Sequence, residues 1–454
     1  MNSKFENFKK DIKNKKIDVI GIGISNTPLI KFLAENGASV CACDRRSKDA
    51  LGDTYNELQK LGVQFCLGDE YLDHLSGDII FKTPGLRFDN PALLKAAENG
   101  ARITSEMELF CEFCPAKIIA VTGSDGKTTT TTLIHKMLTF EGYKTWLGGN
   151  IGNPLFCSLG DISPDDWVVL ELSSFQLHTM KTSPHIAVIT NLSPNHLDMH
   201  KSYEEYIAAK KNIMLYQNSD DILVVNMDNE VTKKIGDEAK GKIKGFGWDK
   251  SYYTYTENGE IFLGGKKIIN TADIKIPGNH NIENYMAAIT ATDGLVSRKT
   301  VEYVAKNFGG VEHRIELVRI LNGIKFYNSS IDSSPNRTKN TLSVFPEKIV
   351  MIAGGKDKGI PYDDIGGVIV EHVKTLILIG ATAGKIKSAV LSAPGHESVE
   401  IIECDEYKDA VDSAYAHASS GDCVVLSPAS TSFDRFKNFE ERGNLFKALV
   451  NDLK

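Results

Sequence analysis

The feature that most constrains this chain is a glycine-containing loop between a predicted strand and a predicted helix. An apolar run at residues 117–120 predicts a buried strand, and residues 131–138 predict a helix. The loop between them carries the pattern Gly-x-x-Gly-Lys-Thr at residues 123–128. Glycines let backbone N–H groups turn toward an anion, and the helix N-terminus adds a partial positive charge. We therefore predict a phosphate-binding loop in which Lys127 reaches the outer phosphates and Thr128 offers its hydroxyl to magnesium.

The loop is a shortened form of the nucleotide-binding pattern, because Val121 stands where the full pattern has its first glycine. A Gly-Lys-Thr triplet alone is also compatible with an ordinary strand-to-helix turn. The preceding strand and the following helix favour nucleotide binding over that alternative.

Composition excludes several classes of protein. A length of 454 residues predicts two to four domains, and a net charge of -7 argues against nucleic acid as a partner. No apolar run reaches membrane-spanning length, and the first ten residues lack the apolar core of a secretion signal, so we expect a cytoplasmic protein. The eight cysteines are predicted to be free buried thiols.

Strands and helices alternate almost throughout, which predicts parallel sheets covered by helices. Near the N-terminus, residues 18–23 predict a strand and a glycine turn, and Asp44 follows Gly23 at the distance of a ribose-binding acid. Asn26 replaces the third glycine of the dinucleotide pattern, so NAD and nucleotide-sugar binding both stay open here. Residues 252–269, with two glycine turns, predict a small antiparallel excursion.

Several polar residues follow predicted strands in the middle of the chain. Glu171 ends a strand and could hold magnesium beside the phosphate loop, although a surface acid is the alternative. His196 follows the next strand, where a functional and a solvated histidine are equally compatible with the sequence. Lys210, on a polar helix, is predicted from residue chemistry alone to be a solvated surface charge.

Other candidates are weaker when taken singly. Asn281 and Asn284 share a helix face and could read a purine edge, but helix capping is the favoured interpretation of the pair alone. Arg314 and Lys358 could face phosphate, although each taken alone is predicted to be a surface charge.

Taken in order, these motifs resemble those of the muramyl ligase family over nearly the whole chain. Residues 171–177 and 427–443 are the most specific stretches, and they resemble the D-glutamate-adding branch of the family. The resemblance implies an α/β fold with mainly parallel sheets in three domains. Residues 1–115 would form a Rossmann-like domain for a UDP-linked substrate, residues 116–311 a central P-loop-type ATP-binding domain, and residues 312–454 a Rossmann-like domain for the amino acid.

The resemblance also implies a reaction. An ATP-dependent carbon–nitrogen ligase would join D-glutamate to UDP-N-acetylmuramoyl-L-alanine through an acyl phosphate, releasing ADP and phosphate, in peptidoglycan precursor synthesis. ATP and Mg²⁺ are the expected nucleotide and cofactor, and a monomer without nucleic-acid or membrane partners is expected.

Site residues follow from the resemblance by position. The implied catalytic residues are Lys127, Glu171, His196 and Lys210, and the implied metal contacts are Thr128, Glu171, His196 and Lys210. The implied ATP contacts are Gly123, Ser124, Asp125, Gly126, Lys127, Thr128, Thr129, Asn281, Asn284, Arg314 and Asp332. The implied UDP-substrate contacts are Ser25, Asn26, Thr27, Asp44, Arg45, Arg46, Thr83, Gly85, Asn150 and His196. The implied D-glutamate contacts are Lys358, Ser432 and Phe433.

Two implied details concern individual side chains. Lys210 matches a lysine that the family carbamylates, which turns a neutral amine into a carboxylate-like metal ligand. Ser329 stands where the family has an aspartate that contacts the nucleotide, so either Asp332, three residues later, substitutes for it or ribose binding is weaker.

Three alternatives stay open from the sequence. A folylpolyglutamate synthase-like ligase would share the ATP loop without binding UDP-sugars. A nicotinamide-dependent oxidoreductase would use Gly21, Gly23 and Asp44. A nucleotide-binding regulatory protein would use its third domain to bind a partner.

Overall fold

The structure is a computed structural model that describes residues 2–151, 154–194, 200–357 and 359–454. It divides into two compact units, one made of Met1–Asp273 with Asn279–Lys306, the other of Ile274–Gly278 with Asn307–Lys454. The first unit contains two sheets and the second contains one.

The first sheet is parallel throughout and has the strand order β3-β2-β1-β4-β5. Its strands are β1 (Lys16–Ile20), β2 (Ser39–Asp44), β3 (Gln64–Leu67), β4 (Ile79–Phe81) and β5 (Arg102–Thr104). The accompanying helices are α1 (Ser3–Asp11), α2 (Asn26–Glu35), α3 (Lys48–Leu51), α4 (Asp53–Lys60), α5 (Pro91–Glu98) and α6 (Glu106–Phe113).

The second sheet has the order β14-β13-β12-β11-β10-β9-β6-β8-β7 and is parallel from β7 to β12. Its strands are β6 (Lys117–Thr122), β7 (Thr145–Gly149), β8 (Trp167–Glu171), β9 (Ile186–Ile189), β10 (Ile222–Asn226), β11 (Lys242–Phe246), β12 (Thr254–Glu257), β13 (Glu260–Leu263) and β14 (Lys266–Asn270). The helices are α7 (Lys127–Glu141), α8 (Ser174–Leu177), α9 (Tyr203–Leu215), α10 (Glu230–Gly236), α11 (Asn279–Ala291) and α12 (Arg298–Asn307).

The centre of this sheet explains why its strands form. Every residue of β8 and β9 is buried, as are all residues of β6 after Lys117. Apolar runs of this kind are typical of parallel strands covered on both faces. At one end of the sheet, β12 to β14 form the predicted antiparallel excursion, and its turns place Asn258, Gly259, Gly264 and Gly265 at positive φ.

The third sheet lies in the second unit and has the order β15-β16-β20-β17-β18-β19, with only β15 and β16 antiparallel among the described strands. Its strands are β15 (Glu316–Leu321), β16 (Ile324–Asn328), β17 (Ile349–Ala353), β18 (Val373–Ile379), β19 (Glu400–Cys404) and β20 (Cys423–Leu426). The helices are α13 (Pro335–Leu342), α14 (Gly366–His372), α15 (Ala383–Leu391), α16 (Tyr407–Ala416) and α17 (Phe439–Asp452).

The sheets confirm the predicted three-domain α/β fold with mainly parallel strands. The predicted boundaries after residues 115 and 311 stay predictions. Within the described residues, no helix is both long and apolar enough to cross a membrane. All eight cysteines are free, as predicted, but the prediction that all are buried is wrong. Cys157 is exposed on the 3₁₀ turn Phe156–Ser158, where Phe156 takes the buried side, and only Cys43 is fully buried.

A buried carboxyl in the first unit makes stability depend on pH. Glu106 is 6% exposed and accepts a 3.1 Å hydrogen bond from the Phe156 amide. Burial raises the pKa of Glu106 from 4.5 to about 7, and the amide hydrogen bond offsets only part of that rise. Between these two values the unfolded chain is ionised while the folded chain holds its proton. The free energy of unfolding therefore falls as pH rises through this window, by about 3 kcal/mol in all.

We expect Glu106→Gln to be more stable than the parent at pH 8, and to lose most of that advantage at pH 4.5. Glutamine keeps an oxygen for the Phe156 amide and does not titrate. Urea denaturation followed by tryptophan fluorescence suits the test, because Trp146, Trp167 and Trp248 all lie in the first unit. Exposed Glu98→Gln is the control. An advantage for Glu106→Gln that is equal at both pH values would contradict the assignment.

Candidate active site

The loop between β6 and α7 needs its two glycines for reasons of space. Gly123 has φ 152° and Gly126 has φ 76°, both unfavourable for other residues. A Cβ at Gly123 would lie 1.9 Å from Thr190 Oγ1, and one at Gly126 would lie 2.2 Å from Asn284 Oδ1. The close neighbours of the loop therefore require glycine at both positions.

The segment after β9 holds this loop in place. The Asp125 amide donates to Asn191 Oδ1 at 2.9 Å, and the Ser124 amide donates to the Asn191 carbonyl at 2.8 Å. Thr190 Oγ1 donates to the Asp125 carbonyl at 2.6 Å. Ser124 is 6% exposed, with its hydroxyl 2.9 Å from the Tyr206 hydroxyl. The ends of β6 and β9 thus form one rim of the sheet, and Thr190, Asn191 and Tyr206 are parts of it that no sequence pattern predicted.

Lys127 lies across its own loop. Its Nζ donates to the carbonyl oxygens of Gly123 and Ser124, both at 2.9 Å. These bonds fix a positive charge where the backbone turns, beside the N-terminus of α7. Thr128 and Thr129 follow in the first turn of α7 and are half-buried.

The two asparagines of α11 lie against the loop. Asn284 Oδ1 accepts from Thr130 Oγ1 at 3.3 Å, and Asn284 Nδ2 donates to Asn281 Oδ1 at 3.1 Å. The predicted shared helix face is confirmed, and the structure places Asn284 directly beside Gly126. Their role as ATP contacts stays a prediction.

Glu171 ends β8 with one satisfied and one unsatisfied oxygen. It is 1% exposed, and Oε1 accepts from Asn150 Nδ2 at 2.7 Å. Oε2 is buried and has no hydrogen-bond partner among the described residues. A buried carboxylate oxygen without a donor is costly unless a cation or a further donor reaches it. The alternative of a surface acid is therefore wrong.

Lys210 on α9 is buried, which corrects its interpretation as a solvated charge. It is 2% exposed, and Nζ donates to Thr122 Oγ1 at 3.1 Å and lies 5.0 Å from the centre of the Tyr206 ring. Burial, reinforced by the nearby charge of Lys127, lowers its pKa well below the usual range, although Glu171 opposes the shift. The polar sequence of α9 conceals this, because its inward face carries the hydroxyl of Tyr206 and the amine of Lys210.

These side chains fit a magnesium ion. The unsatisfied Glu171 Oε2 is the kind of hard oxygen ligand that magnesium prefers, and a hydroxyl at the start of α7 is a second. In the chain as described, no group of three or more His, Cys, Asp or Glu side chains could hold a metal by itself. A metal here therefore needs Thr128, Lys210 or substrate oxygens as well. His196 lies outside the described residues.

The predicted UDP-substrate residues surround the glycine turn after β1. Asp44 Oδ2 accepts from the Ile22 amide at 2.7 Å and from Arg46 at 2.8 Å, and Arg46 also donates to the Ile22 carbonyl at 2.6 Å. Burial raises the pKa of Asp44, but the hydrogen bonds from Arg46 and Ile22 outweigh it and leave the pKa below its usual value. Asn26 is 5% exposed and donates to the carbonyls of Ile20 and Gly21, both at 3.0 Å. Asn26 thus holds the turn from within.

The remaining residues of this group lie near the same turn. The position of a Cβ on Gly21 would be 3.2 Å from Thr83 Cβ, so the end of β4 adjoins the turn. Ser25 and Thr27 lie at the start of α2, Gly85 is exposed beyond Thr83, and exposed Arg45 pairs with Asp69 at 3.5 Å.

The second unit contains the other predicted contacts. Asp332 is 4% exposed and accepts hydrogen bonds from Ser427 Oγ and Thr341 Oγ1, both at 2.7 Å. Those bonds are internal to the unit, and contact between Asp332 and a nucleotide stays a prediction. Ser329 is fully buried, with its hydroxyl 3.3 Å from the Ile315 amide. Arg314 is exposed.

The loop after β20 places its two predicted residues differently. Ser432 is 2% exposed, whereas the ring of Phe433 is 59% exposed. Sequence reasoning missed Arg442, which is fully buried and donates to the carbonyls of Ser430 and Ser330 at 3.0 and 2.8 Å. The sequence feature that could have indicated Arg442 is its position near the end of the family-specific stretch 427–443. Lys358 lies outside the described residues.

The sheets and the phosphate loop define a nucleotide-binding α/β protein of the phosphate-loop class. Profiles of the Mur ligase MurD-like N-terminal domain, the Mur ligase middle domain and the Mur ligase glutamate ligase domain match residues 15–105, 121–292 and 313–430. The chain belongs to the Mur ligase family.

Individual relatives support the same family assignment. The UDP-N-acetylmuramoylalanine–D-glutamate ligases of Ruminiclostridium cellulolyticum and Acetivibrio thermocellus are 55% and 53% identical to this chain, with all of each chain covered. UDP-N-acetylmuramate-alanine ligase MurC from Thermotoga maritima shares the fold, with a TM-score of 0.58 at 19% identity over 97% of this chain and 100% of its own. MurF from Acinetobacter baumannii gives a TM-score of 0.58 at 15% identity over 98% and 92%.

Proposed function

We propose that this protein is an ATP-dependent ligase that adds D-glutamate to UDP-N-acetylmuramoyl-L-alanine in peptidoglycan precursor synthesis. The observation that carries the proposal is identity of 50–55% over the full length to enzymes named for this reaction. The association of Lys127, Glu171 and Lys210 within the first unit supports it. A nicotinamide-dependent oxidoreductase has no comparable support.

The chemistry needs activation because a carboxylate is a poor electrophile. In the first step a carboxylate oxygen of the substrate attacks the γ-phosphorus of ATP, the bond to the bridging oxygen breaks, and ADP leaves. In the second step the amine of D-glutamate attacks the acyl carbon, phosphate leaves with the bonding electrons, and the new amide nitrogen loses a proton.

The residues of the first unit suit the phosphoryl transfer. Lys127 would exchange its loop carbonyls for phosphate oxygens and offset charge that spreads over the transferred group. Asn281 and Asn284 would line the nucleotide side of the loop. Glu171, Thr128 and a carbamylated Lys210 would hold magnesium, with His196 as a further proposed neighbour. When bound, magnesium would supply positive charge that offsets the charge of the phosphate groups.

The remaining assignments concern the two other substrates. Asp44 and Arg46 form a rigid pair at the glycine turn, which suits recognition of the UDP group together with Ser25, Thr27, Thr83 and Gly85. Asn150 would orient the muramoyl portion while its amide holds Glu171. Lys358, Ser432 and Phe433 would bind D-glutamate, and Arg314 and Asp332 would contact the nucleotide. A cytoplasmic monomer stays our expectation.

The direct test measures phosphate released from ATP with Mg²⁺ and UDP-N-acetylmuramoyl-L-alanine, adding D-glutamate, L-glutamate, L-lysine or nothing. We expect release to depend on D-glutamate. Release with L-lysine but not D-glutamate would assign the chain to another branch of the family. No release with any amino acid, from protein that still binds ATP, would overturn the proposed reaction.

A further inference from the structure

A cavity lies in the first unit, beside the end of β4. Its volume is about 740 Å³, within the range of small-molecule sites. Its walls come from α5, β5, α6, the segment 178–182 and the last turns of α9. None of the predicted nucleotide, UDP-substrate or D-glutamate contacts lines it.

The unusual feature of this cavity is the charge of Lys82. This lysine directly follows β4, is 3% exposed, and uses its backbone amide to bond the Thr104 carbonyl at 2.8 Å. Its ammonium makes no hydrogen bond or ion pair with any residue in the described ranges. Burial lowers its pKa, with Glu108 opposing the shift. A buried amine of this kind gains free energy from a ligand that brings an anion to it.

The acids around the cavity are already engaged. Glu108 Oε2 accepts from the Ser105 amide at 3.0 Å and from Thr104 Oγ1 at 3.2 Å, while Oε1 accepts from Thr179 Oγ1. Glu112 pairs with Arg102 at 2.7 Å. Lys181, His178 and Tyr216 are the other ionisable groups of the wall. A bound anion would therefore meet Lys82 without having to break an existing ion pair of that lysine.

Other wall atoms indicate the rest of the ligand. Thr182 Oγ1 is buried and unbonded within the described part of the chain, so it offers a further hydrogen bond. Leu93 and Met180, each 1% exposed, form apolar surface together with Ile103. The wall thus combines one buried cation and one hydroxyl with an apolar face.

We propose that this cavity is a binding site for a small organic anion, which places a carboxylate or phosphate against Lys82 and an apolar body against Leu93 and Met180. None of the lining residues is assigned to a ligase substrate, so we expect binding without nucleotide or UDP-substrate, although Lys82 is next to Thr83 in the chain.

Isothermal titration of the full chain without nucleotide tests this with three probes: 4-phenylbutyrate, 2-phenylethyl phosphate and neutral 4-phenylbutanol. We expect an anion to bind at least about tenfold more tightly than the alcohol. Tighter binding of the phosphate or of the carboxylate identifies which head group the site takes. Equal binding of all three probes, or none at millimolar concentration, would overturn the proposal.

Two substitutions locate the site. Lys82→Met keeps the length of the side chain, removes an unpaired buried charge, and should weaken anion binding about tenfold or more. Lys181→Met, an exposed lysine of the same wall, is the matched control and should change it less than threefold. If Lys82→Met does not fold, Ala97→Trp at the exposed rim should block binding by filling the cavity. Unchanged anion binding in a folded Lys82→Met, or in Ala97→Trp, contradicts the assignment.

Discussion

Lys127→Ala should lower the rate of ATP-dependent ligation by about a thousandfold or more while the protein stays folded. The ammonium of Lys127 is tied to two carbonyls of the phosphate loop, 2.9 Å from each, and is the charge best placed to meet the transferred phosphoryl group. Removing one preorganised charge or donor from a transition state costs about 10²–10³ in rate, and removing a phosphoryl-stabilising cation costs more. The measurement is kcat for phosphate release.

The control for this substitution lies on the same helix. Lys136 is exposed on α7, so Lys136→Ala removes an equal charge away from the loop and should leave kcat within about twofold. Circular dichroism should be unchanged in both variants. If Lys127→Ala kept near-normal kcat, the loop would have no part in catalysis.

Lys210→Ala should lower turnover by about a hundredfold or more, with partial recovery in millimolar acetate or formate. The side chain is 2% exposed beside Thr122, and burial lowers its pKa, which favours the neutral amine. A neutral amine can attack carbon dioxide and release a proton, which produces a carbamate with two oxygens for a metal. Loss of a ligand or its support at such a site has effects of this size. A small acid that enters the space left by the side chain would restore an oxygen ligand.

Two comparisons separate this role from a structural one. Lys211→Ala removes the neighbouring lysine, which pairs with Glu238, and should have little effect on turnover. The parent protein, prepared without carbon dioxide, should gain activity when bicarbonate is added, and Lys210→Ala should not. Full activity of Lys210→Ala without added acid would show that the amine is dispensable.

The sequence predicted most of the architecture because buried parallel strands leave a clear record. An apolar run identified β6, the strands predicted before Glu171 and His196 are β8 and β9, and the glycine turns identified the excursion from β12 to β14. The phosphate loop was also predictable from the sequence, because the space at positions 123 and 126 leaves no room for a Cβ and so requires glycine.

The site was less predictable where its support comes from distant segments. Lys210 looked solvated because Lys211 and Asn212 follow it, yet the inward face of α9, which also carries Tyr206, buries its amine against Thr122. The residues next to Asp125 in sequence do not indicate that Asn191, after another strand, hydrogen-bonds the loop. Likewise, the sequence around Asp332 does not indicate that Ser427 and Thr341 donate hydrogen bonds to its carboxylate. Such contacts depend on how strands are ordered in a sheet, which a linear pattern does not contain.

The folded-back position of Lys127 has a consequence for nucleotide affinity. Because its ammonium already bonds the carbonyls of Gly123 and Ser124, a phosphate must compete with the protein's own backbone for the same three protons. The loop thus acts as an internal competitor of its ligand. Any change that weakens those two hydrogen bonds without removing the lysine should therefore increase the affinity for ATP. The measured affinity reflects the exchange of carbonyl oxygens for phosphate oxygens by Lys127, not the strength of the phosphate contact alone.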